Sequence, residues 1–364
     1  MRFGIQYQKE LQIDKVREAG FSYMEVPYEE LQTADTVSAS SAMKVGTTVG
    51  LLLKAKGLTT DKLQDALLKA KEYQAEYIVL DTQELTDAEE LYQAVSGCVE
   101  LIQTLTVEIY FENGYRYLKD GGYGNCIFSE AGELVRLVEE LNTLCDKKCF
   151  GVCLNVGYGN LVGKNMRVMV EKLGPYLKLL HASDNDGIHN WHQLPYTFTT
   201  GRGARSTDWY HILGAMIKGG FDGWIVFDTI GLFKRTPLKL QGAMLKFLVQ
   251  ISEEWREAFE IEKLLNQPDK KLLLFGAGKM MINYYKAWGR TYPPAFLVDN
   301  NSAIWGEERL GFEIKSPEAI LEIPPEERNV WICNMAYDSI GQQLTEMGVE
   351  YHCYWDHYYL MDGV

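Results

Sequence analysis

Short apolar runs alternate with longer amphipathic segments from residue 2 to about residue 254, and this alternation limits the folds open to the chain more than any other pattern in its sequence. A strand followed by a helix, repeated many times, is typical of a parallel α/β sheet. Eight such units predict an α/β chain whose first domain is a closed (β/α)8 TIM barrel. The predicted strands are 2–6, 23–28, 44–52, 77–82, 107–114, 150–157, 177–185 and 223–229.

A break in this alternation predicts a second domain. Residues 264–271 (LLNQPDKK) combine a proline with charged residues, and a new strand pattern starts at KLLLFGAGK. We therefore expect the barrel over residues 1–264 and a second domain over 270–364. The second domain alternates strands and helices, and its length suits a small, Rossmann-like doubly wound sheet.

Composition limits the classes of partner. The formal net charge of -14 disfavours nucleic acid, because the phosphate backbone is also negative. No apolar run is long enough to cross a membrane, and the first residues resemble a strand more than a signal peptide. We therefore expect a soluble, cytoplasmic protein with no membrane or nucleic-acid partner, and a homo-oligomer stays open. The seven cysteines form no CxxC pair and are predicted to be buried thiols.

Polar residues accumulate where the predicted barrel strands end. In a (β/α)8 barrel the carboxyl ends of the strands meet at one face, and the active site is built there. The sequence therefore predicts a polar site at that face, formed by Glu25, Glu112, Asn155, His181, Asp184 and Asp228.

Four segments resemble the xylose-isomerase-like superfamily of sugar-phosphate isomerases and epimerases. They are GFSYMEV, IYFENG, the long run LLHASDNDGIHNWHQLPYTFTTGRGARSTDW, and GFDGWIVFDT. The resemblance implies a small-molecule carbohydrate substrate and a divalent metal, with Mn²⁺, Zn²⁺ and Mg²⁺ equally compatible. Carried over position by position, the metal ligands are Glu112, Asn155, His181 and Asp228.

Two of these positions depart from the superfamily pattern. Asn155 stands where an aspartate is usual, and Asp228 stands where a longer glutamate is usual. The asparagine removes one negative charge from the site, and the aspartate is one methylene shorter. The asparagine is expected to weaken metal binding, and the shorter aspartate requires the metal to shift or to accept a bridging water.

Further residues are candidates for acid/base catalysis or for contact with the substrate. Glu25, Glu112 and His192 are predicted as catalytic groups, because isomerisation next to a carbonyl needs a proton to be removed and returned. The predicted substrate-binding residues are Asp184, Trp191, Arg202 and Tyr158. Structural roles stay open for each of them: ion pairs, a buried hydrogen-bonded imidazole, loop caps or ordinary surface charge.

The second domain carries a partial nucleotide-binding pattern. Gly276 and Gly278 follow a strand, and Asp299 lies about twenty residues further on, where such an acid contacts a ribose. Met281 occupies the third glycine position. The run FLVDNN also resembles small Rossmann-like domains that accompany carbohydrate-modifying enzymes. Nucleotide binding by Gly276, Gly278 and Asp299 is one interpretation, and a docking or dimerisation domain is the other.

The sequence thus predicts a sugar or sugar-phosphate isomerase or epimerase that depends on a divalent metal. The alternative is a non-catalytic carbohydrate- or nucleotide-sugar-binding protein whose metal site has degenerated.

Overall fold

The computed structural model describes residues 1–31, 48–198 and 207–354. The chain forms two compact units, Met1–Glu254 and Trp255–Val364. Among the described residues, no helix combines the length and the apolar composition that crossing a membrane requires.

The first unit contains ten strands among its described residues. Eight of them form a closed parallel barrel in the order β1-β10-β9-β8-β5-β4-β3-β2, and β6 pairs with β7 in an antiparallel hairpin. This confirms the predicted barrel. The strands are β1 Arg2–Gln6, β2 Tyr23–Pro27, β3 Thr48–Lys54, β4 Tyr77–Asp81, β5 Glu108–Glu112, β6 Tyr115–Tyr117, β7 Tyr123–Asn125, β8 Phe150–Asn155, β9 Leu177–Ala182 and β10 Trp224–Phe227.

Helices follow the barrel strands, and one of them shortens a predicted strand: the strand expected over residues 150–157 ends at Asn155, where helix Val156–Leu161 begins. The amphipathic stretch 87–105 contains two helices, separated at Gly97 and Cys98. The helices of this unit are Ile13–Ala19, Thr60–Glu72, Glu89–Ser96, Val99–Thr104, Ala131–Leu144, Val156–Leu161, Met166–Leu173, Trp209–Lys218 and Leu238–Phe259, the last of which extends past the unit boundary.

Side chains that point into the barrel form an apolar layer beneath a polar one. The apolar layer is a cluster of Tyr77, Val79, Tyr110, Cys153, Leu179, Trp224 and Val226. Strand alternation brings the residues two positions further along β4, β5, β8 and β9 to the same inner side. The result is a buried polar layer at the carboxyl ends of the strands, formed by Gln6, Glu25, Asp81, Glu112, Asn155, His181 and Asp228.

The second unit is built on a six-stranded sheet among its described residues. The strand order is β13-β14-β12-β11-β15-β16, and all neighbours are parallel except β13 and β14. The strands are β11 Lys271–Phe275, β12 Phe296–Val298, β13 Glu308–Arg309, β14 Phe312–Lys315, β15 Arg328–Ile332 and β16 His352–Cys353, and the helices are Ile261–Leu265, Lys279–Tyr284 and Tyr337–Glu346.

Both faces of this sheet are covered. Leu272 and Leu274 of β11 lie in one apolar cluster, which also contains Met281 of helix Lys279–Tyr284. Leu273 and Phe275 lie in a second cluster with residues of helix Tyr337–Glu346. Because successive strand residues face opposite sides, the two helices cover opposite faces of the sheet.

The units divide between Glu254 and Trp255, about ten residues before the expected end of the first domain at residue 264. Ile261 and Leu265 lie in the same apolar cluster as Leu272 of the second unit. Side-chain packing therefore assigns this segment to the second unit, although the proline that marks the break in sequence comes later.

Candidate active site

The polar layer of the barrel is held together by side-chain hydrogen bonds from five strands. His181 lies at its centre, with Nε2 3.0 Å from Glu25 Oε2 and Nδ1 2.5 Å from Glu112 Oε1. Gln6 donates from Nε2 to the other oxygen of Glu25 at 2.9 Å. Since ionised carboxylates only accept hydrogen bonds, this arrangement is satisfied when both nitrogens of His181 carry protons.

Asn155 connects the carboxylates of Glu112 and Asp228. Its Nδ2 donates to Glu112 Oε1 at 2.8 Å and to Asp228 Oδ2 at 3.0 Å. Its Oδ1 accepts from the backbone N–H of Tyr158 at 3.0 Å and thereby caps helix Val156–Leu161. The four predicted metal ligands therefore lie next to one another.

Burial and neighbouring charges shift the proton affinities of these groups. Burial raises the pKa of Glu112 and outweighs the opposing effect of His181. Burial alone would lower the pKa of His181, but Cys153, Glu25 and Glu112 raise it well above its usual value. Burial and the charge of Glu112 raise the pKa of Asp81 to about 7. A strongly perturbed, clustered set of this kind is typical of catalytic sites.

His192 reaches the same layer from the loop that follows β9. Its Nδ1 lies 2.9 Å from Asp228 Oδ2, and its side chain is 11% exposed. Burial would raise the pKa of Asp228, but His192 and His181 together lower it below its usual value. The φ angle of His192 is 46°, a left-handed conformation that non-glycine residues rarely adopt. The other oxygen, Asp228 Oδ1, is buried without a hydrogen-bond partner among the described residues.

The remaining predicted residues have varied surroundings. Asp184 is fully buried and accepts hydrogen bonds from the backbone N–H groups of Asn185 and Phe198, so it fastens its own loop. Tyr158 is buried edge-on to His192, with ring centroids 5.9 Å apart. Trp191 is 44% exposed. Arg202 lies outside the described residues.

Three residues inside the barrel were missed as site residues: Gln6 and Asp81 of the polar layer, and Cys153 of the apolar layer beneath it. Cys153, on β8, points into the barrel two positions before Asn155, and ligand atoms of Glu112, Cys153 and His181 all lie within 4.8 Å of one another. Burial raises the pKa of its thiol well above the usual range. The signal was available in the sequence, because strand alternation places residues 153 and 155 on the same side.

The donor atoms do not fit a divalent ion in this arrangement. Both ring nitrogens of His181 already face carboxylates, and Asn155 presents its amide nitrogen, which has no lone pair for a metal.

In the second unit, Asp299 is bound to the backbone of the turn that contains Gly276 and Gly278. Asp299 accepts from the backbone N–H of Ala277 at 2.9 Å and from that of Asn301 at 2.9 Å, so both of its oxygens are engaged. Gly276 has a φ of 116°, and a Cβ there would lie 2.5 Å from the carbonyl oxygen of Cys333. Gly278 meets no such obstacle.

Comparison with known proteins rests on structure. Neither a family model nor a curated protein matches the sequence. An L-ribulose 3-epimerase structure is similar with a TM-score of 0.52 and 13% identity, covering 74% of this chain and 99% of that one. A D-psicose 3-epimerase from Clostridium cellulolyticum H10 gives a TM-score of 0.49 and 16% identity, covering 70% of this chain and 99% of that one. The likeness to L-ribulose 3-epimerase shows that the two proteins share the barrel fold.

Proposed function

We propose that the barrel is a sugar or sugar-phosphate isomerase or epimerase that moves a proton on a carbon next to a carbonyl group. The observation that carries the proposal is the buried layer of carboxylates and imidazoles at the carboxyl ends of the barrel strands. Active sites of this fold are built at that end. The shared fold with an L-ribulose 3-epimerase supports the sugar as substrate class.

Each group has a role in such a reaction. Glu112, whose burial raises its pKa, suits a general base that takes the proton from carbon. Negative charge then develops on the carbonyl oxygen. Once Glu112 has taken the proton, it accepts less strongly from the N–H groups of His181 and Asn155 that face it, and these donors suit stabilisation of that charge. Glu25 holds His181 in position. Asp228 Oδ1 and His192 are available to bind or orient a substrate hydroxyl.

The proposal is tested by deuterium uptake. Ketopentoses, ketohexoses and their phosphates are incubated with the protein in D2O, and NMR follows the carbon-bound hydrogens. We expect exchange next to the carbonyl, and Glu112→Gln should slow it by roughly 10²–10⁴-fold. The matched control is Glu108→Gln, at the opposite end of the same strand, which should leave the rate unchanged. Each reaction is run with EDTA and with added Mn²⁺, Zn²⁺ or Mg²⁺, which tests the metal dependence that the resemblance implied.

A second candidate is a carbohydrate-binding protein without turnover. The observation in its favour is Asn155, which satisfies Glu112 and Asp228 with an amide. Sugar binding by calorimetry with no deuterium uptake would support this candidate. The absence of both binding and uptake across the panel would contradict both.

We also propose that the second unit is a Rossmann-like domain. The support is its strand order: β12 and β14 lie on one side of β11, and β15 and β16 lie on the other, so the order reverses beside the first strand. Ligands of such sheets bind at this reversal. Nucleotide binding there stays a proposal, and a thermal-shift screen of nucleotides against wild type and Gly278→Val tests it.

A further inference from the structure

The side chain of Asn155 is held in one orientation by its surroundings. Its Oδ1 receives the Tyr158 backbone N–H, and its own backbone is bound on both sides by Asn113, which accepts from Asn155 N and donates to Asn155 O. A flipped amide would place N–H against N–H at Tyr158. It would also turn an oxygen towards two carboxylates, which is repulsive.

This orientation puts two N–H groups into the space between Glu112 and Asp228. An amide nitrogen cannot ligate a cation, because its lone pair is delocalised into the carbonyl. An aspartate at this position would keep one oxygen as the helix cap and turn its second oxygen into the same space. The difference between the amide and the carboxylate is therefore confined to a single atom that faces both acids.

We propose that the Asn155 amide takes the place of a divalent cation between Glu112 and Asp228. The wild-type barrel then binds no such ion in this layer, and Asn155→Asp creates a site from the carboxylates of residues 112, 155 and 228. The inference is independent of the proposed activity, because it concerns ion binding by the layer, whether or not the layer is catalytic.

The test measures metal content. Wild type, Asn155→Asp and Asn165→Asp are stripped with EDTA, dialysed against Mn²⁺, passed through a desalting column and analysed for bound manganese. Asn165 is the matched control, because it also caps a helix through its side-chain oxygen but is exposed. We expect about one ion per chain in Asn155→Asp and far less than one in the other two.

Stability provides a second readout. Mn²⁺ should raise the melting temperature of Asn155→Asp and leave that of wild type unchanged, since only the variant binds the ion. Because an added buried carboxylate destabilises the variant, it is expressed and purified with Mn²⁺ present and is stripped with EDTA only immediately before the dialysis.

Several outcomes would overturn the proposal. Wild type that retains about one manganese per chain contradicts it, whatever the variant does. A folded Asn155→Asp variant that retains no more manganese than wild type also contradicts it. An Asn155→Asp variant that stays unfolded in Mn²⁺ contradicts it as well. None of these results depends on turnover, so failure here and failure of the proposed isomerase are separate.

Discussion

The two units place acidic residues at the carboxyl ends of parallel strands, yet these residues do different things. In the barrel, Glu25 and Glu112 face other side chains, and His181 lies between them. In the second unit, Asp299 faces backbone N–H groups of the adjacent loops and holds them together. Position at a strand end therefore does not decide function. What decides it is whether the carboxylate meets side chains that carry protons or backbone that needs an acceptor.

The largest effect is expected from removing the centre of the barrel layer. His181→Ala leaves Glu25 and Glu112 buried without their shared partner, so the free energy of unfolding should fall by about 3–5 kcal/mol. His189→Ala, which removes an exposed histidine paired with Asp186, should change it by less than about 0.5 kcal/mol. Chemical denaturation of each variant, followed by a spectroscopic signal from the barrel, measures both free energies of unfolding. Equal effects would show that the layer is not a coupled network.

In the second unit, the matched pair of variants is Gly276→Ala and Gly278→Ala, and their stability is compared in the same way. Gly276→Ala combines an unfavourable φ with a clash against backbone, and we expect a loss of about 2–3 kcal/mol. Gly278→Ala meets open space and should leave the melting temperature almost unchanged. If a nucleotide binds against Gly278, Gly278→Ala would keep its stability but would lose the increase in melting temperature that the nucleotide causes. A destabilised Gly278→Ala would contradict the structure of this turn.

The pH dependence of stability reports on Asp81. Its pKa is about 7 in the folded chain against 3.8 for an unperturbed aspartate. The folded chain therefore holds an extra proton between these values, and the stability due to neutral Asp81 is lost as pH rises towards 7. Asp81→Asn should stabilise the barrel by roughly 2–4 kcal/mol at pH 8 and hardly at all near pH 4.

The control for this measurement is Asp222→Asn, which changes an exposed aspartate of the same unit. It should have little effect at either pH. An Asp81→Asn effect that does not vary between pH 4 and pH 8 would show that the pKa of Asp81 is the same in the folded and unfolded chain, as at an ordinary surface site.

The smallest effect is expected at Asp299. Asp299→Asn keeps one acceptor but turns an amide N–H towards a backbone N–H, which should cost about 1–2 kcal/mol. Deuterium uptake should not change, because this residue belongs to the second unit. Glu326→Gln, on the surface of that unit, serves as the control. A loss of uptake in Asp299→Asn would show that the acid of the second unit contributes to the reaction.

Much of the barrel was predictable because strand periodicity is local. The run 150–157 shows the limit: β8 ends at Asn155, and a helix with two glycines, Val156–Leu161, begins there. Glycine disfavours helices, so the local pattern does not indicate this helix. The tertiary setting of Asn155, as the helix cap, decides its boundary.

Five of the seven members of the polar layer could be predicted, all except Gln6 and Asp81, but the atoms that meet could not. Alternation placed Glu112, Asn155, His181 and Asp228 at one end of the barrel. Whether Asn155 presents oxygen or nitrogen to the carboxylates depends on the Tyr158 backbone N–H, which is positioned only once the following helix has formed. The expectation of a metal rested on residue types, but whether these residues fit a divalent ion depends on the orientation of the Asn155 amide.

A crystal structure of the protein soaked with a ketopentose or ketohexose would show which part of the molecule binds the sugar. We expect sugar density over the barrel layer, with the carbonyl end against Glu112 and Asn155 and a hydroxyl on Asp228 Oδ1. Sugar density beside Gly276 and Asp299 in the second unit, with no sugar at the barrel layer, would contradict a catalytic role for that layer.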